Sequence, residues 1–517
     1  MRIQNSLQNM LFGFLGQIIS IIMGFLVRTV FIYTLGIEYL GIEGLFTSIL
    51  TMLSLANLGF DTAVMYSLYK PLAEKDIRKI QALMNLYQKA YQIIGIVILV
   101  IGLCLLPFVP HLMVRETKIE NIHIIYLLFL LSSVSSYYFV YKQTMIIADQ
   151  RNYVISKIHI IFTIISNLTQ LFLLILISNY IVVLIMQLLM RLLENIYISK
   201  KANQLYPYLK GKSSARLSKE EKKHFFENLY ALLLYRISGV VVNGTDNIVI
   251  SKFIGIAWVG IYSNYLFIIN TLNTLLGYLF YSVTASVGNL NVNESKDKKY
   301  FIFRVLNFMN FWIYGFFSVL LWNLVNPFII IWIGEAYTFN KYILFVILLN
   351  FFTVGMQNAS TTFRETTGLF KKGKYRPIIA AIINIVTSII LVKQIGISGV
   401  FIGTIFSRLC TYFWFDPYTI FKCVFQKPVK LYFKKYTIYF LLVLFTAGIT
   451  DIVGAIASEH FFINVVMRII ICLSIPNVVF WGMFRNTEEF KYVWNILKAV
   501  GNKKNIFARK NDFEDGV

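Results

Sequence analysis

The sequence predicts an all-α polytopic membrane protein, and three of its features lead to that fold class. Hydrophobic residues make up 57% of the 517 residues, charged residues only 14%, and the mean hydropathy is +0.67, whereas soluble chains have about a quarter of their residues charged. The apolar residues come in runs of about twenty, the length that a helix needs to cross about 30 Å of hydrocarbon. Strand-like alternation is not sustained, and since lipid admits only helices and closed barrels, we expect a helical bundle.

Apolar runs and their polar interruptions predict about 14 transmembrane helices. The first run contains Arg28 and lacks a small-residue cleavage site, so we interpret it as a spanning helix rather than a signal peptide. The predicted spans are 9–35, 41–69, 88–109, 122–148, 154–177, 180–199, 229–252, 257–288, 303–330, 341–369, 376–392, 397–421, 437–457 and 462–484.

Positive charge is concentrated in every second connection between these spans and in the C-terminal tail. Because Lys and Arg accumulate on the cytoplasmic side of membrane proteins, both termini are predicted to be cytoplasmic. This pattern accounts for most of the net charge of +23 without a nucleic-acid partner, and it places the cationic loops against anionic lipid head groups. The cationic connections are 70–79, 151, 200–223, 296–299, 371–374 and 422–435.

The chain contains an internal duplication of six spans. Because each copy has an even number of spans, both copies enter the membrane in the same orientation, an arrangement that in transporters places the substrate site between the copies. The predicted organisation is an N-lobe at 1–222, a C-lobe at 223–425, a further helix pair at 426–484 and a cytoplasmic tail at 485–517. The matched pairs are LGIEYLGIEG (35–44) with IGIAWVGIYS (254–263), Lys142 with Arg364, and Arg191 with Arg408.

Several charged side chains fall inside the predicted spans, and Arg191 and Arg408 lie near the middle of theirs. A charge at the centre of a lipid-facing helix costs roughly 2.5–3.5 kcal/mol, so we expect these groups to face a water-filled cavity or one another. The predicted cavity has more cations than anions, and arginine suits phosphate because its planar guanidinium donates two parallel hydrogen bonds. The candidate cavity residues are Arg28, Asp61, Lys142, Arg191, Arg236, Asn243, Asp246, Arg364, Glu365 and Arg408.

Some of the charged groups have alternative interpretations. Lys142, Arg364 and Glu365 lie near the cytoplasmic ends of their spans, where long side chains reach the head-group region. Asp451 and Arg468 lie in the outer halves of the last two spans, and we interpret them as a structural ion pair.

Coupling and metal binding can be judged from the remaining ionisable residues. Arg28 lies level with Asp246 when the two copies are superposed, which predicts an ion pair between the lobes. Asp61 and Asp246 are candidate proton or sodium sites, and the sequence does not choose between the two ions. The 4 cysteines and 5 histidines are scattered along the chain, so we expect neither a metal site nor a cofactor.

Three segments in sequence order resemble a known family. They are LVRTVFIYTLGIEYLGIEGLF, LSLANLGFDTAVMYSLYKPLAEKD and GTDNIVISKFIGIAWVGIYSNY. Together they resemble the polysaccharide-specific transporters of bacteria, the Wzx-type flippases for O-antigen or capsule repeat units. That family belongs to the MOP exporter superfamily with the MATE drug exporters and the lipid II flippase, and the resemblance extends through the fourteenth span.

The resemblance implies two six-helix lobes in a V-shaped arrangement that work by alternating access, with a lipid-tail groove at spans thirteen and fourteen. It implies a multi-pass, monomeric protein of the bacterial cytoplasmic membrane. The implied substrate is an oligosaccharide repeat unit linked to undecaprenyl pyrophosphate, and the implied partners are membrane lipids and other polysaccharide-assembly proteins. The residues at positions where such proteins place cavity charges are Arg28, Asp61, Arg191, Arg236, Asp246 and Arg408.

Other functions remain open on the sequence alone. A MATE-like multidrug exporter would need an acidic cavity and only twelve spans, and a flippase for lipid II or a teichoic-acid precursor would share the predicted architecture. A membrane polysaccharide polymerase or glycosyltransferase would need a large extracytoplasmic loop or a cytoplasmic nucleotide-sugar motif, neither of which the sequence contains. We therefore predict a transporter and not an enzyme.

Overall fold

The computed structural model of the chain is built from helices in all of the segments that it describes. Those segments are residues 2–54, 60–114, 119–209, 217–221, 244–369, 372–373, 375–456 and 460–501. The first half contains α1 (Arg2–Leu35), α2 (Ile37–Leu53), α3 (Phe60–Glu74), α4 (Ile77–Leu105), α5 (Ile122–Tyr137), α6 (Val140–Ala148), α7 (Asn152–Leu176), α8 (Tyr180–Leu205) and α9 (244–253). The second half contains α10 (Ile256–Asn293), α11 (Lys296–Ile333), α12 (Lys341–Met356), α13 (Asn358–Thr366), α14 (Arg376–Ile395), α15 (Ile397–Cys410), α16 (Tyr412–Ile420), α17 (Lys430–Ile456), α18 (Phe461–Phe484) and α19 (Glu488–Gly501).

The predicted fold class, an all-α polytopic membrane protein, is confirmed. Within the described segments, 10 helices are long and apolar enough to cross a membrane, and α5 with α6, bent by 45° at a short break, would form an eleventh. The other three predicted spans fall on α2 with α3, on α9 and on α10. Residues 229–243 of the seventh predicted span lie outside the described segments.

The starts of several helices are determined by the polar residue that precedes them. The carboxylate of Asp76 accepts a hydrogen bond from the backbone N–H of Lys79 (3.0 Å) at the start of α4. The side chain of Asn179 accepts hydrogen bonds from two N–H groups at the start of α8. Each cap satisfies an N–H that the helix itself leaves without a partner, which matters most in lipid, where water cannot replace it.

The chain divides into two compact units, each made of two separate stretches of sequence. The first unit contains Met1–Ile268 and Lys374–Gly403, and the second contains Ile269–Gly373 and Thr404–Val517. In the first unit, α14 is joined to α9 by a hydrogen bond from Thr245 Oγ1 to Asn384 Oδ1 (2.9 Å). The rings of Tyr262 and Phe401 lie 4.6 Å apart and connect α10 to α15.

Within the first unit, the duplicated glycine motifs pack directly against each other. A Cβ added at Gly41 would collide with the carbonyl oxygen of Ile256, and one added at Gly260 would collide with the carbonyl oxygen of Ile37. The two contacts are equivalent, because 260 − 41 and 256 − 37 both equal 219. A pair of reciprocal contacts of this kind is the signature of a two-fold arrangement, here between two segments of one chain.

Polar contacts repeat the same relation. Arg28 donates a hydrogen bond to the hydroxyl of Ser263, and Asn247 donates one to the backbone carbonyl of Gly44 (3.4 Å). These are again equivalent positions, since 247 − 28 and 263 − 44 both equal 219. The predicted parallel duplication is therefore confirmed for α1–α2 and α9–α10, which contact each other through corresponding residues.

In the second unit, α11 packs against α12, α17, α18 and α19. The rings of Phe311 on α11 and Tyr439 on α17 stack with centroids 4.2 Å apart. At the other end of α17, Asp451 binds Lys341 (2.7 Å) and lies 3.7 Å from Arg468. The predicted ion pair between Asp451 and Arg468 is confirmed, and it holds the last two spans together.

Candidate functional site

The first unit contains a cavity of about 900 Å³ that lies between α2, α4, α5, α6, α7 and α8. All of its lining residues fall between 43 and 198, within the N-terminal repeat. Neutral hydroxyl and amide groups dominate the lining, with aromatic rings from Tyr91, Phe129, Tyr137 and Phe162 beside them. The hydroxyl and amide residues are Thr47, Thr51, Ser54, Ser132, Ser133, Ser136, Gln143, Ser156, Thr163, Ser166, Asn167, Gln170, Gln187 and Asn195.

Helical periodicity explains how apolar spans produce this polar wall. On α7 the lining residues include Ser156, His159, Thr163 and Ser166, with spacings of three and four residues that place them on one face. Ile161, Ile165, Leu168 and Phe172 repeat on the opposite face of the same helix and are exposed. A helix with one polar and one apolar face orients its polar face toward the cavity and its apolar face toward lipid.

The α8 helix follows the same rule. Gln187, Arg191, Glu194, Asn195 and Ile198 line the cavity. The exposed residues of its other face are Ile185, Leu189, Leu193 and Tyr197.

Arg191 is the predicted site residue that lines this cavity. It lies eleven residues after the start of α8, about 16 Å along the helix, which places its guanidinium deep within the membrane-spanning segment. Its Nη1 donates a hydrogen bond to Ser132 Oγ on α5 (3.2 Å). A single neutral partner leaves most of the five guanidinium N–H donors available to a ligand in the cavity.

A second ionisable cluster lies on the same wall. His159 Nδ1 is 2.8 Å from Glu194 Oε1, which joins α7 to α8. Gln187 Nε2 donates to Gln170 Oε1 (3.1 Å) between the same two helices. Together with Arg191, these contacts fix the polar side chains of the cavity in defined positions.

Glu43 connects the cavity to the contact between the repeats. Its side chain lines the cavity and interacts electrostatically with Arg28. The Nε of Arg28 donates to Asn264 Oδ1 (2.6 Å), and its guanidinium lies 5.3 Å from the ring of Phe267. The predicted ion pair between Arg28 and Asp246 is wrong, because the close approach of α10 to α1 gives Arg28 these partners instead.

The charge of this cavity also differs from the predicted excess of cations. Its charged lining residues are Arg191, Glu43 and Glu194, and His159 adds a titratable ring. The reason is that the predicted arginines other than Arg191 do not line this cavity. Arg28 is held by α10, and Arg364 is held by an ion pair elsewhere.

Arg364 lies in a buried structural cluster of the second unit. It is 2% exposed, its Nη1 lies 3.3 Å from Asp416 Oδ1, and its Nη2 donates to the backbone carbonyl of Lys372 (3.0 Å). Glu365, the next residue, is exposed. These contacts join α13, α16 and the turn that precedes α14.

The remaining predicted residues are distributed over several helices. Lys142 is half-buried on α6, with its Nζ 5.7 Å from the ring of Tyr141, and Arg408 is half-buried on α15. Asp246 is buried on α9. Asp61 belongs to α3, but its side chain, like Arg236 and Asn243 as a whole, lies outside the described part of the chain. A substrate-binding role for these residues stays a prediction.

Sequence reasoning missed Glu43, His159, Glu194 and the hydroxyl groups of the cavity. A signal was present in each case. Glu43 belongs to the duplicated LGIEYLGIEG motif, and the serines of α5 interrupt an apolar run as SSVSS (132–136). His159 and Glu194 lie on helix faces that carry polar residues at three- and four-residue spacing.

No family model matches the chain, and no curated protein matches it. Solved structures do match it. The lipid II flippase MurJ in an inward closed conformation has a TM-score of 0.66 at 17% identity, covering 92% of this chain and 99% of that one.

Multidrug transporters match over a smaller part of the chain. An inward-facing MATE family transporter of the MOP superfamily has a TM-score of 0.56 at 14% identity, covering 76% of this chain and 91% of that one. A Vibrio cholerae MATE transporter has a TM-score of 0.56 at 11% identity, covering 83% and 99%. The chain therefore has the polytopic membrane fold that the lipid II flippase MurJ and the MATE transporters share.

Proposed function

We propose that this chain is a flippase that moves undecaprenyl-pyrophosphate-linked oligosaccharide repeat units from the inner to the outer leaflet of the bacterial cytoplasmic membrane. The fold supports a transporter of this kind, because the similar structures include a lipid II flippase that matches over 92% of the chain. The surface polysaccharides that such a flippase would serve include capsule, O-antigen and exopolysaccharide. Arg191 and the cavity hydroxyls are the groups that would bind the substrate.

The hydroxyl- and amide-lined cavity is the observation that carries the proposal. Sugar hydroxyls both donate and accept hydrogen bonds, as do the hydroxyl and amide side chains of Ser, Thr, Asn and Gln. Pockets for drug-like molecules are instead mainly apolar. At about 900 Å³, the cavity lies at the upper end of the range for ligand pockets, about 300–1,000 Å³.

Two further features of the cavity fit a glycan with an anionic carrier. The rings of Tyr91 and Tyr137 offer faces on which the C–H side of a sugar can pack. Arg191 offers donors to a pyrophosphate oxygen, and a guanidinium–phosphate hydrogen bond is strong where water is excluded. The isoprenoid chain needs no protein cavity, since it can remain in the bilayer while the polar part crosses.

The proposed transport cycle exposes the cavity to the two sides of the membrane in turn. Binding on the cytoplasmic side and release on the outer side would move one repeat unit per cycle, with coupling to H⁺ or Na⁺ providing direction. Both termini would be cytoplasmic, as the distribution of Lys and Arg predicts. No covalent chemistry is required of the chain.

Deletion of the gene tests the proposal. We expect surface glycan to disappear and lipid-linked repeat units to accumulate on the cytoplasmic leaflet, where a sugar-specific probe reaches them in inverted vesicles but not in right-side-out ones. Complementation with the wild-type chain should restore surface glycan. Normal export in the deletion strain, with no redundant gene, would contradict the proposal.

A MATE-like exporter is the alternative that a specific observation favours. Glu43 and Glu194 line the cavity, and carboxylates are the groups that would attract an organic cation. Efflux of a cationic dye distinguishes the two functions. A flippase for repeat units should leave dye retention unchanged on deletion, whereas an exporter should leave glycan unchanged and raise dye retention.

A further inference from the structure

The last spanning helix, α18, is followed almost at once by α19. Three residues separate Phe484, where α18 ends, from Glu488, where α19 begins, and three residues extend at most about 10 Å. Close to this end of α18, the guanidinium of Arg485 lies 5.0 Å from the ring of Trp481. Trp and cationic residues are typical of the membrane–water interface, so α19 begins near the level of the head groups.

The first turn of α19 is fixed to two spanning helices. Glu489 is only 3% exposed, and its carboxylate accepts hydrogen bonds from Arg304 Nε on α11 (2.8 Å) and from Lys435 Nζ on α17. The neighbouring ring of Phe490 stacks on Trp312 of α11 at 5.7 Å. These contacts determine which way the helix faces.

The remainder of α19 carries an apolar surface that the rest of the described chain leaves open. Phe490, Val493, Trp494 and Leu497 follow the three- and four-residue spacing of one helix face. At the start of this face Phe490 is covered, but Trp494 is 47% exposed and Leu497 is 58% exposed.

Cationic side chains border this surface. Lys491 and Lys498 are exposed on one side of it, and Lys498 Nζ lies 5.6 Å from the ring of Trp494. An exposed apolar face bordered by lysines is the pattern of helices that lie in the membrane interface.

We propose that the surface formed by Trp494, Ile496 and Leu497, bordered by Lys491 and Lys498, inserts into the head-group region of the bilayer and binds anionic lipid. A bilayer fits better than a protein partner for two reasons. The surface continues from a helix that leaves the membrane only three residues earlier, and its cations complement the negative charge of anionic head groups. Because Glu489 ties α19 to α11 and α17, lipid composition would act directly on two spanning helices.

Fluorescence of site-specific probes in the full-length protein tests this proposal without measuring transport. Leu497→Cys and, as the matched control on the opposite side of α19, Asn495→Cys are each labelled with an environment-sensitive dye after the native cysteines are replaced by alanine. The proteins are reconstituted in nanodiscs that contain spin-labelled lipid, with or without phosphatidylglycerol. We expect quenching at position 497 to exceed that at position 495 by at least about twofold, as for a helix buried in the interface.

Anionic lipid should increase the quenching at position 497, and Lys491→Glu with Lys498→Glu should remove that increase. A probe at position 497 that aqueous iodide quenches as strongly as the probe at 495 would overturn the proposal. So would a probe that iodide does not reach but spin-labelled lipid does not quench, because protein would then cover the surface. Equal quenching in neutral and anionic discs would overturn the anionic part.

Discussion

At the scale of single residues, two arginines from the same sequence pattern have different environments. Arg191 lines a polar cavity and bonds a serine, whereas Arg364 is buried against the carboxylate of Asp416. An arginine is tolerated inside a membrane protein in either setting, because each removes the guanidinium from lipid. The two settings predict opposite consequences of mutation.

Arg191→Ala should reduce glycan export by at least about tenfold while the protein inserts and folds normally, since the lost interaction is with substrate and a charge-assisted hydrogen bond is worth about 1.5–3 kcal/mol. Arg191→Lys should retain part of the activity because it keeps the charge but not the planar fork. Surface glycan and thermal stability in detergent would be measured together. Leu193→Ala, on the lipid-facing side of the same helix, is the control and should export normally.

Arg364→Ala should instead destabilise the fold, because removing one partner from a buried ion pair costs about 3–5 kcal/mol. We expect a lower midpoint of thermal unfolding and less protein in the membrane. The double variant Arg364→Leu with Asp416→Leu should recover part of the loss, since it leaves no unmatched charge. Wild-type stability of Arg364→Ala with lost export would place Arg364 in the substrate site after all.

At the scale of helices, the close contact of α2 with α10 depends on the absence of side chains at Gly41 and Gly260. Gly41→Ala should cost about 1–3 kcal/mol, the usual penalty for overpacking, because the new methyl group would meet backbone that cannot move aside. Gly13→Ala in α1 is the matched control, since a Cβ there meets nothing within 4 Å. Thermal unfolding of the two variants in the same detergent should separate them, and equal midpoints would show that the contact is not tight.

The attachment of α19 should depend on pH. Burial by itself would raise the pKa of Glu489, but hydrogen bonds from Arg304 and Lys435 lower it from 4.5 to about 2. A lowered pKa in the folded state means that the carboxylate stabilises the fold above about pH 4.5 and loses this effect as the pH falls toward 2. Glu489→Gln should therefore be less stable than the wild type at pH 6, and the difference in unfolding midpoint should narrow by pH 3. A difference that does not change with pH would show that the charge of Glu489 is not what holds α19.

At the scale of the whole molecule, the distribution of cations predicts the orientation of every span. The α11 helix has 38 residues, about 57 Å, so its ends should lie on opposite sides of the membrane. Cysteine placed at Lys298 should react with an impermeant maleimide only in inverted vesicles, and cysteine placed at Glu335 only in right-side-out ones. Both positions are exposed, so reversed labelling would mean that the termini are outside.

The sequence alone determined the fold class, most of the helix positions and the duplication. Each rests on a physical rule that acts locally: a spanning helix must be apolar over about twenty residues, and a repeated contact needs the same residue types twice. The matched glycines at 41 and 260 were visible in the sequence and contact each other's repeat in the structure. Only 229–243 of the predicted spans lies wholly outside the described segments.

The tertiary structure decided which polar groups share a cavity. A membrane-embedded arginine satisfies the same energetic requirement whether it faces water, a serine or a buried carboxylate, so its sequence position could not distinguish Arg191 from Arg364. The cavity itself is formed by faces of six helices, and each contributes only a few neutral hydroxyl or amide groups that cost too little in lipid to stand out in an apolar run. Their convergence depends on how the helices pack, and packing depends on contacts between residues far apart in the chain.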